Sequence, residues 1–182
     1  MRWVHTRTEV SIGGYYQKYL APRGLLAVES SFFGIDARAE AIIAETPSQG
    51  VVVSWLGNIY WEQTDWKFHL IGEYIYNAEA SQAYINDAEP GYPSGHAMAL
   101  LAGFKEIFGS KFDIGVKWEH AFLDNSGIVT PGIQFKPLEH ITFTFGFSIY
   151  YGVASGEMMI VNLDPLKRQT SFGIKLDISG NV

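Results

Sequence analysis

The stretch Ile141-Thr142-Phe143-Thr144-Phe145-Gly146-Phe147-Ser148-Ile149-Tyr150-Tyr151 alternates apolar and polar residues almost without a break. In an extended chain, successive side chains point to opposite faces. Ile141, Phe143, Phe145, Phe147, Ile149 and Tyr151 therefore share one face, and Thr142, Thr144, Gly146, Ser148 and Tyr150 the other. A period of two sustained this long predicts a β-strand with one apolar side.

The same pattern extends outward in both directions. From Phe112, one face is Phe112, Ile114, Val116, Trp118, His120 and Phe122, opposed by Asp113, Gly115, Lys117, Glu119 and Ala121. From Trp66, the apolar set is Trp66, Phe68, Leu70, Gly72, Tyr74 and Tyr76, opposed by Lys67, His69, Ile71, Glu73 and Ile75. Near the end, Phe172, Ile174, Leu176 and Ile178 oppose Ser171, Gly173, Lys175 and Asp177. Across these four segments the apolar face carries no Asp, Glu, Lys or Arg, and the other face carries seven.

Three further segments fit the pattern. Val4, Thr6, Thr8, Val10 and Ile12 oppose His5, Arg7, Glu9 and Ser11; Val51, Val53, Trp55, Ile59 and Trp61 oppose Ser54, Asn58 and Glu62. From Leu25 to Glu45 the apolar set is Leu26, Val28, Ser30 and Phe32, then Ile35, Ala37, Ala39, Ala41 and Ile43. The one-residue phase slip at Phe33-Gly34 reads as a glycine bulge in one long strand. Residues with turn chemistry separate the segments, among them Ala21-Pro22-Arg23-Gly24, Gly109-Ser110-Lys111 and Asp124-Asn125-Ser126-Gly127. The reading is ten strands: about 3–17, 24–45, 51–62, 66–77, 96–107, 111–123, 127–136, 140–151, 157–163 and 168–179. The segment 96–108 also matches helical spacing through Ala97, Leu100, Leu101, Phe104, Ile107 and Phe108; the tight turn at Gly109 favours a strand. Pro131 lacks an amide hydrogen and belongs near a rim or an edge.

Composition narrows the function classes. The chain has 182 residues, 18% charged and 15% aromatic, with 19 glycines and a net charge of −6. That balance argues against a nucleic-acid binder, which needs a basic face. No cysteine is present, so disulfides, thiol nucleophiles and cysteine-type zinc sites are excluded. No apolar run approaches the roughly 18 residues of a spanning helix, and Met1 to Thr6 contains no signal-peptide core.

These segments together resemble a bacterial outer-membrane β-barrel, porin-like in type: strands of about ten residues, one face apolar and the other polar with glycines. The resemblance implies an all-β, antiparallel, up-and-down transmembrane β-barrel with about 9–10 strands in this chain, forming a single domain or barrel segment. Trp61, Trp66, Tyr74, Tyr76 and Tyr151 fall near strand ends, where a membrane interface favours them. Barrels of this kind usually end on an aromatic residue, whereas this chain ends Ser179-Gly180-Asn181-Val182, and both termini fall on the side with longer loops. The expectation is a segment of a larger barrel, with a closed ten-stranded barrel as second choice.

Catalytic signatures are sparse. Pro93-Ser94-Gly95-His96 with His120 and Asp124 resembles part of the type 2 phosphatidic acid phosphatase signature, but that family's arginine-bearing motifs are absent. No Gly-x-Ser-x-Gly elbow, His-Glu-x-x-His or phosphate-binding glycine loop occurs. The reading is a non-enzyme without cofactor or metal. The functional candidates are inward polar residues of the pore-lining face: Arg7, Glu9, Asp36, Arg38, Glu40, Lys67, Glu73, Asp113, Lys117, Glu119, Lys175 and Asp177. Charges of mixed sign on such a face line a hydrated pore in a large barrel, or neutralise one another in a plug-like salt-bridge network in a narrow one; the expectation is the pore. The expected function is a porin-like channel for small hydrophilic solutes in the bacterial outer membrane, with membrane lipid as partner and no nucleic acid. The alternatives are a soluble lipocalin-like barrel binding an apolar ligand, and a small outer-membrane barrel enzyme or anchor.

Overall fold

A computed structural model describes residues 2–5, 7–16, 18, 22–46, 50–78, 95–138, 141–152 and 170–178, excepting the side chains of 2–5, 108 and 170–178. The strands are β1 (Arg2–His5), β2 (Thr8–Tyr15), β3 (Arg23–Phe32), β4 (Ile35–Thr46), β5 (Gly50–Gln63) and β6 (Phe68–Asn77). They continue with β7 (Gly95–Phe104), β8 (Phe112–Ala121), β9 (Ser126–Leu138), β10 (Ile141–Tyr151) and β11 (Thr170–Ile178). Each strand pairs with its chain neighbours, in the order β1 to β11. The chain is all-β, antiparallel and up-and-down. Among the described residues the only helical element is a 3-10 turn at Ile107–Gly109.

Two expected strands are hairpins instead. The segment 3–17 folds back between β1 and β2, pairing His5 with Thr8 and Val4 with Glu9. The segment 24–45 folds back at Phe33-Gly34, pairing Phe32 with Ile35. Phe33 and Gly34 have φ of 52° and 78°, both in the left-handed region, as a two-residue type I′ turn requires. Such a turn shifts the apolar phase by one residue, as a bulge does, so the pattern carries both readings; the pairing register decides for the hairpin. With these turns, the β2–β3 connection and the β4–β5 connection lie at the same ends of their strands. Segment 96–107 is a strand only as far as Phe104, and its turn includes Glu106 at φ 50° before the 3-10 residues. Pro131 lies inside β9, which has β8 and β10 on either side, and not at an edge. The β9–β10 register runs across it from Gly146–Gly132 to Ile149–Val129, and the Thr130 and Ser148 hydroxyls meet there at 2.9 Å. The expected strand 157–163 lies outside the described residues.

The chain divides into two compact units. Unit 1 comprises Met1–Trp61, Gly72–Met98 and Ala121–Leu123. Its registers align Ile12, Leu26, Ala41 and Trp55 in one row, and Val10, Val28, Ala39 and Gly57 in the next. The opposite face carries Glu9, Glu29, Arg38 and Asn58 in a single row. The first charge on the apolar side is Glu45, near the end of β4.

Unit 2 comprises Glu62–Ile71, Ala99–His120 and Asp124–Val182. Phe143 pairs with Phe135 and Leu176, and Phe145 with Ile133 and Ile174. On the other face, Thr144 pairs with Gln134 and Lys175, and Gly146 with Gly132 and Gly173. The rings of Phe112 and Phe135 stack with centroids 4.6 Å apart.

Among the described residues the buried apolar side chains are four alanines, Ala44, Ala78, Ala97 and Ala121, and the largest fully buried side chain is Ser126. Large residues of the alternating apolar face are open instead: Trp55 is 44% exposed, Val116 41% and Phe145 45%. The polar-face neighbours Ser54, Gly115 and Thr144 are more shielded.

The β3–β4 turn generates a prediction. Phe33 holds a left-handed conformation that asparagine tolerates better, so Phe33→Asn should stabilise the protein by about 1 kcal/mol. Gly34→Val, with a β-branched residue at φ 78°, should destabilise it by about 1–2 kcal/mol. Equilibrium urea unfolding measures both, and equal midpoints for the two variants would refute the turn assignment.

Candidate functional site

Within unit 2, a cavity of about 320 Å³ is lined by the apolar residues Leu101, Ile114, Val116 and Ile133 together with a set of polar side chains. Its polar lining is His69 from β6, Asp113 and Lys117 from β8, Thr130, Gln134 and Lys136 from β9, and Thr144 from β10, with Lys105 after β7. Gly115 and Gly132 form part of the wall. Alternation places Asp113, Gly115 and Lys117 on one side of β8, and Gly132, Gln134 and Lys136 on one side of β9.

Ion pairs organise the lining. Lys136 Nζ donates to Asp113 Oδ2, and the Glu106 backbone N–H donates to Asp113 Oδ1 at 2.8 Å. Both carboxylate oxygens are thus engaged. Lys117 Nζ lies 2.9 Å from Glu119 Oε1, and Lys105 Nζ 3.0 Å from Glu62 Oε1. These groups are all part-exposed, so each pair contributes only about 0–1 kcal/mol; their larger effect is to fix where the ammonium groups stand. His69 packs against Gly103, where an added Cβ would come within 2.7 Å of its Cε1. His69 Nδ1 is buried and has no hydrogen-bond partner among the described residues.

The twelve sequence candidates separate into groups. Only Asp113 and Lys117 line this cavity, with Glu119 bound to Lys117 beside it. Lys175 and Asp177 pair by backbone register with Thr144 and Thr142. In unit 1, Arg38 and Glu40 form an ion pair, Ser31 Oγ donates to Asp36 Oδ1 at 2.5 Å, and Ser11 Oγ donates to Glu9 Oε1 at 3.4 Å. Glu9 stands opposite Glu29, a like-charge pair that costs stability, and Arg38 is the next residue in that row. Glu73 is half-buried on β6.

Two candidates are placed differently from expectation. Arg7 lies in the β1–β2 turn, where its carbonyl accepts from Ser31 N–H at 3.1 Å. Lys67 lies in the 64–67 turn at φ 51° and pairs with Glu106. Both were assigned to strand faces by parity counting, which fails when the chain turns within the counted segment. The sequence reading missed Lys105, Gln134 and Lys136 as site residues. The alternation Thr130, Gly132, Gln134, Lys136 was a usable signal; the Asp113–Lys136 contact needed the cross-strand register.

His96 and His120 sit among aromatic rings. Tyr74 hydroxyl and His96 Nδ1 are hydrogen-bonded, and Tyr74 stacks on Trp55 with centroids 4.7 Å apart. Trp118 Nε1–H donates to Tyr151 hydroxyl at 2.7 Å, and that oxygen also meets His120 Nδ1 at 2.9 Å. Asp124 Oδ1 accepts the Ser126 N–H at 2.9 Å, closing the β8–β9 turn. Nδ1 of His96, Nδ1 of His120 and Oδ1 of Asp124 are therefore engaged structurally, and Pro93 and Ser94 lie outside the described residues. No cluster suited to a metal ion occurs among the described residues. Comparison of the chain with protein-family models, curated sequences and solved structures returned no match.

The contact at Gly103 is testable. Gly103→Ala should displace His69 and cost about 1–3 kcal/mol. At Gly13 an added Cβ meets Leu25 Cβ at an ordinary 3.8 Å, so Gly13→Ala should change stability by less than about 0.5 kcal/mol. Urea midpoints and the His69 imidazole NMR resonances distinguish the two. An unmoved His69 resonance in Gly103→Ala would contradict the packing described.

Proposed function

We propose that the chain is a transmembrane β-barrel, or a segment of one, of the bacterial outer membrane, and that its polar face lines a porin-like channel for small hydrophilic solutes. The observation that carries this reading is the inverted burial: among the described residues, large apolar side chains lie open and the buried apolar ones are alanines. A large apolar side chain left in water forgoes roughly 1.5–3 kcal/mol. Repeated over a whole sheet face, that rivals the entire stability of a domain, roughly 5–15 kcal/mol. Hydrocarbon covering that face removes the penalty. A lipocalin-like barrel places its apolar residues inward, so the exposure pattern speaks against the soluble alternative.

Polar atoms on the apolar side support the same reading. Thr8 and Ser30 hydroxyls bond each other at 3.0 Å, and Trp118, His120 and Tyr151 satisfy one another. Lipid offers no partners, so such groups must pair internally. The opposite face holds ion pairs that remain part-exposed, as charges beside a water-filled path would be. No catalytic role is assigned to any residue.

Three outcomes are expected. The protein should fold only in detergent or lipid and should conduct ions in planar bilayers; folding as a water-soluble species would refute the membrane reading. Phe145→Arg should cost about 2–4 kcal/mol of folding stability in lipid vesicles, as for a cation at the bilayer midplane. Thr144→Lys, one residue away on the polar face, should fold normally and shift the reversal potential in a salt gradient. An unchanged reversal potential would sink the channel assignment.

A further inference from the structure

We infer that the unit 2 cavity is a binding site for small oxyanions, carboxylate or phosphate in class. The inference rests on the proposed function only in taking the polar face to be wetted; it does not require conduction. The chain as a whole carries a net charge of −6, yet the cavity lining inverts that sign. Lys105, Lys117 and Lys136 line it, against Asp113 as the lining's one carboxylate. Glu62 and Glu119, which hold Lys105 and Lys117, are not among the lining residues. They position the ammonium groups without presenting carboxylates to the cavity.

The donors are in excess of the acceptors. Asp113 has one oxygen on Lys136 and the other on the Glu106 amide, so it is occupied as an acceptor. An ammonium has three donors, and its ion pair engages one, so Lys117 and Lys136 have further donors to offer. His69 also lines the cavity. Gln134 and Thr144, opposite one another in register, add neutral donors. Gly115 and Gly132 put no side chain into the space, so a ligand can approach the backbone closely. Charge-assisted hydrogen bonds from lysine to an oxyanion are the strong interactions available to such a set. Each of the three ammonium groups already stands in an ion pair, with Glu62, Glu119 or Asp113, so an oxyanion is drawn by their spare N–H donors and not by an uncompensated charge.

The test uses the full chain folded in detergent micelles, titrated with inorganic phosphate and separately with acetate. The readouts are the His69 imidazole resonances and the ammonium resonances of the lysines. Saturable shifts at His69 and Lys117 are expected with both anions, and none with matched chloride. Lys117→Gln should weaken the affinity about five- to tenfold, the loss of one charge-assisted contact. Lys117→Arg should retain it, which separates a binding role from a structural one. Lys18→Gln removes the same charge outside the cavity lining and should leave the affinity unchanged. Absence of saturable shifts in the folded wild type, or equal weakening by Lys117→Gln and Lys18→Gln, would overturn the inference. Bilayer measurements separate this result from the channel reading. Saturable binding without conductance would leave the anion site standing and refute the channel; conductance without saturable binding would do the reverse.

Discussion

Alternation of side chains across a strand is the constraint on which everything else here depends. A strand cannot rotate one residue to correct an error without sending its whole apolar set to the opposite face. The pairing registers are therefore the fold's decisive quantity. They carry the apolar row Ile12, Leu26, Ala41 and Trp55 across four strands without a break. In unit 2 they do the same for Phe135, Phe143 and Leu176. Two-residue turns hold such registers by leaving the chain no slack, and at Phe33-Gly34 this is worth a left-handed phenylalanine.

With parity fixed, the two faces divide the chemistry. On the apolar side polar atoms close on one another, hydroxyl to hydroxyl at Thr8 and Ser30 and ring to ring around Tyr151. The polar side is assembled from short-range ion pairs, and its charge is local in meaning. Summed over the chain, acids outnumber bases; summed over the cavity wall, lysines do. Net charge is consequently a poor guide to what a sheeted surface attracts at one place.

Legibility in the sequence followed the length of uninterrupted alternation. The segments containing β8, β10 and β11 alternate for nine or more residues, and their expected faces agree with the parity of the structure's strands. Misreadings fell where a turn leaves the alternation intact or merely slips it. Residues 6–7 contain neither glycine nor proline, so nothing local announced a reversal. Phe33-Gly34 produced the same phase slip that a bulge would. The cavity was legible in part: Asp113 and Lys117 stood out as charges on a polar face, but Lys105 and Lys136 join them through neighbouring strands. Sequence spacing within one strand says nothing about which residue stands beside it on the next.

The sequential strand order has a consequence for how such a chain can form and change. Every pairing joins a strand to one adjacent in the chain, so closing each ladder costs only the entropy of a local loop. Contact order is then low for a sheet of this size, and structure can grow outward from any hairpin already formed. The same wiring is modular. A hairpin inserted between two neighbours, or removed from between them, would leave every other partnership in the sheet as it was. Width is thus an adjustable property of this architecture, open to duplication of the piece of gene that encodes one hairpin, while the parity of each strand must be conserved.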